Sequence, residues 1–263
     1  MTENNILPTA HSTIDANALG QLITKLYDFN KDLVCELLHR GMNDFYLLRS
    51  KDMIFVAQVW RPNTKSKYDL NRQMEFLTFL HKSGIRVPIP KKNISNEWVF
   101  SFHSIEGKRY ASVFNFVDGE VFSKNPTINI SKKMGIIFGN LHNFSESFDL
   151  KVNDKHIKRE QNIYNSLNDL EKLVGHRKDD LVFYKEIASK INSIYKLSYK
   201  NNNLRYGMTH GDFHIHNAFV LDEKEITIMD FDACGIDFYA QEIMSYKWSI
   251  EKNSLDKKLW DVF

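Results

Sequence analysis

Cysteine is nearly absent from this chain: Cys35 and Cys234 are the only two among 263 residues. Two cysteines so far apart make no disulfide framework and have no metal-ligand spacing, so both read as buried free thiols. An excess of one charge sign is also missing. The formal net charge is +2, which gives no compositional reason to expect nucleic acid as a partner. No run approaches the roughly eighteen consecutive apolar residues of a membrane span, so no membrane association is expected. The first residues, Met1-Thr2-Glu3-Asn4-Asn5, are polar and not basic, with no apolar segment behind them. They predict no secretory signal, and a cytoplasmic location is the expectation. Neither internal repeats nor low-complexity segments occur.

What is present is an ordinary globular composition, 43% hydrophobic and 26% charged, long enough for one large domain or two lobes. Residues 12–15 can cap a helix, after which Leu19, Leu22, Ile23 and Leu26 recur on one face. Segments 34–38, 45–48 and 54–60 are short and rich in β-branched and aromatic residues. With turns at 40–44 and 50–52 they predict a three-stranded antiparallel meander. Residues 68–83 read as a helix with Leu70, Met74, Leu77 and Leu80 on one side and Gly84 as its stop. Pro88 and Pro90 keep 87–90 extended. Strands are expected at 98–102 and 110–117, then a turn at 118–120.

Beyond residue 119 helices take over. Ser131 can cap a helix whose face is Met134, Ile137, Phe138 and Leu141. A second helix is expected from about 180 to 197 on Tyr184, Ile187, Ile191 and Ile194. Residues 151–180 are charged and read as surface. Segments 218–221 and 225–229 predict a hairpin around Asp222-Glu223-Lys224. The last stretch, 245–263, looks amphipathic, and its apolar end reads as cut rather than finished. The expectation is therefore an α+β protein, with a mostly antiparallel sheet over 1–118 and a mainly helical part over 119–263.

Chemistry concentrates in Thr209-His210-Gly211-Asp212-Phe213-His214-Ile215-His216-Asn217, followed by Ile228-Met229-Asp230-Phe231-Asp232. Phosphoryl transfer from a nucleotide needs a carboxylate to receive the proton of the attacking hydroxyl. It also needs an amide oxygen and a second carboxylate to hold magnesium on the phosphates. Asp212 and Asn217 have the separation of the H-R-D-x-x-x-x-N catalytic loop. The predicted hairpin would return Asp230 beside Asn217. Asp212 is the candidate base, His210 would hold the loop by hydrogen bonds, and Asn217 with Asp230 would hold Mg²⁺. Alternatively, His210, His214 and His216 could join Asp212 as zinc ligands of a metallohydrolase, because imidazole favours zinc. No histidine follows His216, although dinuclear hydrolases usually draw later ligands. A kinase-type glycine-rich loop has several glycines, but the first hairpin holds Gly41 alone.

These residues resemble the aminoglycoside phosphotransferase and choline-kinase-like family of small-molecule kinases. The likeness extends beyond His210-Gly211-Asp212, Asn217 and Asp230-Phe231-Asp232. Residues 40–46, with Gly41 and Asn43, look like the family's first hairpin, and 55–61 resemble its third strand. Residues 74–88 look like its N-lobe helix and exit, and 112–119 like the strand and hinge where adenine pairs with backbone, including Phe114 and Phe116. Leu141-His142 resembles a motif after the hinge. Gln241-Glu242-Ile243 is similar to a segment that normally carries Asp. The resemblance implies a two-lobed protein-kinase-like fold, a nucleotide co-substrate (ATP or GTP), Mg²⁺ and a small-molecule hydroxyl acceptor such as an aminoglycoside, sugar or amino alcohol. Two positions depart from the pattern. Gln58 stands where the third strand normally carries Lys or Arg, and Gln73 where the helix normally offers Glu, with Glu75 two positions on. Arg61, Lys65 or Lys67 could supply the missing charge. The chain also stops before several helices expected of such kinases, so the second lobe reads as truncated. An amide pair without that charge leaves open a nucleotide-binding pseudokinase with weak turnover, and the acceptor could equally be a peptide Ser/Thr.

Overall fold

A computed structural model describes residues 12–29, 32–151, 158–201 and 204–263. The chain forms two compact units, Met1–Gly119 and Glu120–Phe263.

The first unit opens with helix α1 (Ala16–Tyr27). Asp15 caps it by accepting the Ala18 N–H at 2.8 Å. Strands β1 (Val34–Arg40), β2 (Asp44–Arg49) and β3 (Ile54–Val59) form the antiparallel meander that their alternation predicts. Helix α2 (Lys67–Lys82) starts in a capping box in which Ser66 and Asp69 satisfy each other's backbone N–H groups. Strands β4 (Pro90–Lys91), β5 (Phe100–Ser104) and β6 (Gly107–Asn115) complete the sheet in the order β1-β2-β3-β6-β4, with β5 also on β6. One core cluster lies on a single sheet face. Leu19, Ile23 and Tyr27 of α1 meet Cys35, Tyr46, Leu48, Ala57, Val59, Ala111 and Val113. Cys35 is a buried thiol, as read, and burial pushes its pKa up to about 11; Cys234 is only half-buried.

A buried ion pair ties β2 to β6 across β3. Arg109 donates to Asp44 at 3.0 Å, to the Trp60 carbonyl at 3.0 Å and to the Ser12 carbonyl at 2.8 Å. Asp44 reads as a turn residue in the sequence. Here it closes the first hairpin and satisfies the arginine.

In the second unit β7 (Glu120–Val121) leads into α3 (Ile128–Ser145), α4 (Lys158–Val174) and α5 (Lys178–Asn201). Then come β8 (Tyr206–Thr209), β9 (Ala218–Leu221), β10 (Glu225–Ile228) and β11 (Gly235–Phe238), and finally α6 (Tyr239–Lys252) and α7 (Lys258–Asp261). The β9–β10 hairpin forms as predicted, and β7 adds to its edge. Strand β8, which the sequence reading did not include, pairs antiparallel with β11.

Two expectations are corrected here and one is sharpened. Ser131 does not cap α3; Thr127 does, and Ser131 lies inside the helix, its hydroxyl bonded to Tyr246 Oη at 2.6 Å and to the Leu259 carbonyl at 2.5 Å. Residues 151–180 are surface as expected, none with a described exposure being buried, but α4 gives much of the segment helical order. Ile163, Leu167, Leu170 and Val174 recur there at helical spacing on a half-buried face, which the charge density hides. The buried face of α5 is not the one expected: Ala188, Asn192 and Tyr195 point inward, while Tyr184, Ile187 and Ile194 are exposed. The final segment ends in an aromatic cluster. Phe213 stacks on Phe138 at 3.5 Å, and Tyr246 stacks on Phe263 at 4.1 Å.

Candidate active site

Strand β8 ends at Thr209, whose hydroxyl donates to the Gly235 carbonyl at 3.0 Å. The chain then turns through Gly211 at φ +86°, and a Cβ there would lie 2.1 Å from the Ala233 carbonyl oxygen. Glycine alone allows the 209–217 loop to lie against the 231–233 turn.

His210 is fully buried. Its Nε2 meets the Met229 carbonyl at 2.6 Å, and its Nδ1 accepts the Asp212 N–H at 3.2 Å. One nitrogen donates and the other accepts, so the ring is neutral with its proton on Nε2. Its edges are thus committed to the backbone of both motif segments, which suits a positioning residue rather than a proton carrier.

Asn217 is buried and fixed three ways. Its N–H bonds the His214 carbonyl at 2.9 Å, its carbonyl accepts the Met229 N–H at 2.8 Å, and its Nδ2 donates to the Asp212 carbonyl at 2.9 Å. With Nδ2 directed into the loop, Oδ1 is the atom presented to a ligand. The bond to Met229 places Asp230 next in chain beside Asn217, as the hairpin predicted. Asp230 takes a left-handed conformation, φ +60° and ψ +65°, at the start of the 231–233 turn. Desolvation, and after it the Asp232 carboxylate, raise its pKa above the usual carboxylate value, with His210 opposing. A bound cation would relieve that penalty.

Asp212 projects outward, its side chain 58% exposed, with His214 Nε2 at 3.7 Å. Desolvation chiefly lowers the His214 pKa, against the pull of Asp212. Asn217 Oδ1 and the Asp230 carboxylate are hard oxygen donors and fit Mg²⁺. Among the described residues no three His, Cys, Asp or Glu side chains gather to hold a metal by themselves. A cation here would therefore complete its shell with phosphate oxygens or water, and the three-histidine zinc reading finds no cluster.

The sequence reading did not see what holds this loop from behind. Glu242 of α6 is buried; its Oε1 accepts the Gly211 N–H at 2.9 Å and its Oε2 lies 2.6 Å from His142 Nε2 of α3. His142 in turn stacks on Tyr239 at 4.3 Å. The available signal was a glutamate on the otherwise buried face of a helix, where an unpaired charge is costly.

In the first unit, the Gly41 N–H bonds the Asn43 carbonyl at 3.0 Å, closing the β1–β2 turn, and Arg61 donates to the Gly41 carbonyl at 2.5 Å. Gln58, on β3 between Phe45 and Ser112, and Gln73, on α2, are both buried. Phe114 lies inside β6, flanked by β3 and β4, so it has no open backbone edge for adenine. A hinge contact would have to come from Phe116 and the residues after it, past the ladder; the Phe116 carbonyl already accepts Asn115 Nδ2 at 3.2 Å.

Comparison with known proteins agrees with this geometry. The family model described as the phosphotransferase enzyme family matches residues 35–257. The chain belongs to that family. An uncharacterized protein of Synechocystis is 24% identical over 260 residues, covering 97% of this chain and 71% of its own length. Among solved structures, an amicoumacin kinase in complex with AMP-PNP, Ca²⁺ and Ami superposes with TM-score 0.71 at 17% identity, covering 95% of this chain and 76% of that one. An aminoglycoside-3'-phosphotransferase of type VIII gives TM-score 0.64 at 15% identity, covering 94% and 88%. The fold is thus the two-lobed, α+β fold of kinase-like phosphotransferases, and the family membership makes the chain a phosphotransferase in class. Among the described residues no helix is long and apolar enough to cross a membrane.

Proposed function

We propose that this chain moves the γ-phosphoryl group of ATP or GTP to a hydroxyl of a small molecule such as an aminoglycoside, a sugar or an amino alcohol, in the cytoplasm. The observation that carries this reading is the tie between Asn217 and Met229. It brings the backbone of Asn217 against the residue before Asp230, with Asp212 bonded through its carbonyl to the same asparagine. In the reaction Asp212 orients the acceptor hydroxyl and receives its proton late, because the transition state is loose. Asn217 Oδ1 and Asp230 hold the divalent cation, which when bound neutralises phosphate charge. His210 and Glu242 keep the loop in register. In the first unit, Gly41, Asn43, Gln58, Gln73 and the chain at Phe116 are the residues we assign to the nucleotide. The nucleotide analogue and divalent cation in the amicoumacin kinase complex support this assignment, and both similar enzymes support a small-molecule acceptor.

Asp212→Ala tests the proposal. Transfer to a panel of hydroxyl compounds should fall by about 10²–10⁴-fold while Mg·ATP binding persists. Unchanged transfer by this variant would overturn the assignment.

A second reading, a nucleotide-binding module with weak turnover, is favoured by the neutral Gln58 and Gln73. If missing charge limits the reaction, Gln58→Lys should raise activity markedly; an unchanged rate argues against it.

A further inference from the structure

The β1–β2 turn is bordered by basic side chains. Arg40 ends β1 and is exposed, and Arg61 stands just past the end of β3 and is half-buried. His39 borders the turn as well: a Cβ built on Gly41 would lie 3.0 Å from its Nε2. The carboxylate that follows the turn, Asp44, is buried against Arg109 at 3.0 Å. Among the described residues neither Arg40 nor Arg61 has a carboxylate partner.

A turn that cradles phosphate through its backbone needs free N–H groups and several glycines to bring them close. This turn has one glycine, and the Gly41 N–H is already spent on the Asn43 carbonyl at 3.0 Å. Arg61 supplies donors of another kind. Its guanidinium donates to the Gly41 carbonyl at 2.5 Å, its one side-chain bond among the described residues. A guanidinium has five N–H groups and is always charged, so most of its capacity remains open beside the turn. The peptide before Arg61 is fixed on both sides. The Trp60 N–H bonds the Tyr110 carbonyl at 3.0 Å, and the Trp60 carbonyl accepts Arg109 Nε at 3.0 Å. Pro62 follows, with φ set by its ring, and Thr64 Oγ1 donates to the Arg61 carbonyl at 2.8 Å. A side chain held at its base and at its tip loses little freedom when an anion arrives. Arg40 has no such tether among the described residues.

We infer that Arg61 holds the nucleotide's phosphates at the β1–β2 turn, supplying from beyond the end of β3 the charge that Gln58 does not supply from within it. The inference rests on the nucleotide-dependent reading proposed above. It gives the Gly41 carbonyl a role as the anchor that orients the guanidinium.

Equilibrium binding to the whole chain tests it, with Mg·ADP and Mg·GDP each measured against its nucleoside. Arg61→Gln removes the charge and keeps an amide donor. It should weaken whichever diphosphate the wild type binds by about tenfold or more, the effect of losing one charge-assisted phosphate contact, and leave the nucleoside unchanged. Arg61→Lys, which keeps the charge, should lose less. Arg49→Gln removes an equal charge at the other end of β2 and should change neither ligand. If Arg61→Gln binds the diphosphate as the wild type does, the inference falls while the nucleotide reading stands. Equal losses for diphosphate and nucleoside, or equal losses in Arg61→Lys and Arg61→Gln, would mark an arginine that only braces the turn and also overturn it. An equal loss in Arg49→Gln would mark a long-range charge effect, with the same consequence. A wild type that binds neither diphosphate would overturn the nucleotide reading itself, and the inference with it.

Discussion

A methyl group on residue 211 would sit 2.1 Å from the Ala233 carbonyl oxygen, on a backbone at φ +86°. Gly211→Ala should therefore cost about 1–3 kcal/mol in backbone strain alone, before the clash pushes the 209–217 loop away from the 231–233 turn. Thermal unfolding would report the strain. Phosphoryl transfer should drop by about a hundredfold, since displacing a positioned group by about an ångström has that effect. The positions of Asp212, Asn217 and Asp230 were legible in the sequence because a loop and a tight hairpin are short-range structures. Glu242 and His142 were not connected, because 100 residues separate the two ends of their 2.6 Å contact. Only the fold brings a side chain of α3 to one of α6. The roles of Arg61, Lys65 and Lys67 were likewise undecided in sequence, where they stand almost in succession. Their partners Gly41, Gln73 and Glu97 distinguish them.

At the scale of elements, periodicity located most helices and strands and misjudged a face. Helix α5 carries apolar residues on more than one side. Spacing alone puts Tyr184, Ile187, Ile191 and Ile194 on its core side, yet Ile194 is 61% exposed and Ala188 is buried. Helical spacing says that residues share a face, but not which face meets the rest of the unit, and α5 contacts α4, a helix that the charge-rich sequence hides. Ile194→Ser should thus shift stability by no more than about 0.5 kcal/mol. Ala188→Leu should overpack a filled site and cost about 1–3 kcal/mol. Chemical denaturation of the two variants side by side decides between the faces: a larger loss for Ile194→Ser would restore the original assignment. Ser131 teaches the same lesson. Its residue type favours a cap, but Thr127 lies one turn earlier with its side chain accepting the Ile130 N–H, and Ser131 is then free to bond Tyr246 and Leu259.

The whole molecule has two compact units, each with its own buried residues. In the first, Arg109 and Asp44 are both almost completely buried, and the arginine also bonds two backbone carbonyls. Removing one partner of such a pair leaves the other charge without compensation. Arg109→Met should destabilise the first unit by about 3–5 kcal/mol. Hydrogen exchange should show the lost protection concentrated in residues 12–119; a loss spread evenly over both units would contradict that. The sequence by itself determined the reaction class, the meander and the β9–β10 hairpin, because these depend on local spacing and residue chemistry. The tertiary structure alone decided which cation meets Gln73, which carboxylate holds Gly211, and which face of α5 is buried. Those are contacts between segments distant in the chain, and burial and partner choice are properties of the packed whole.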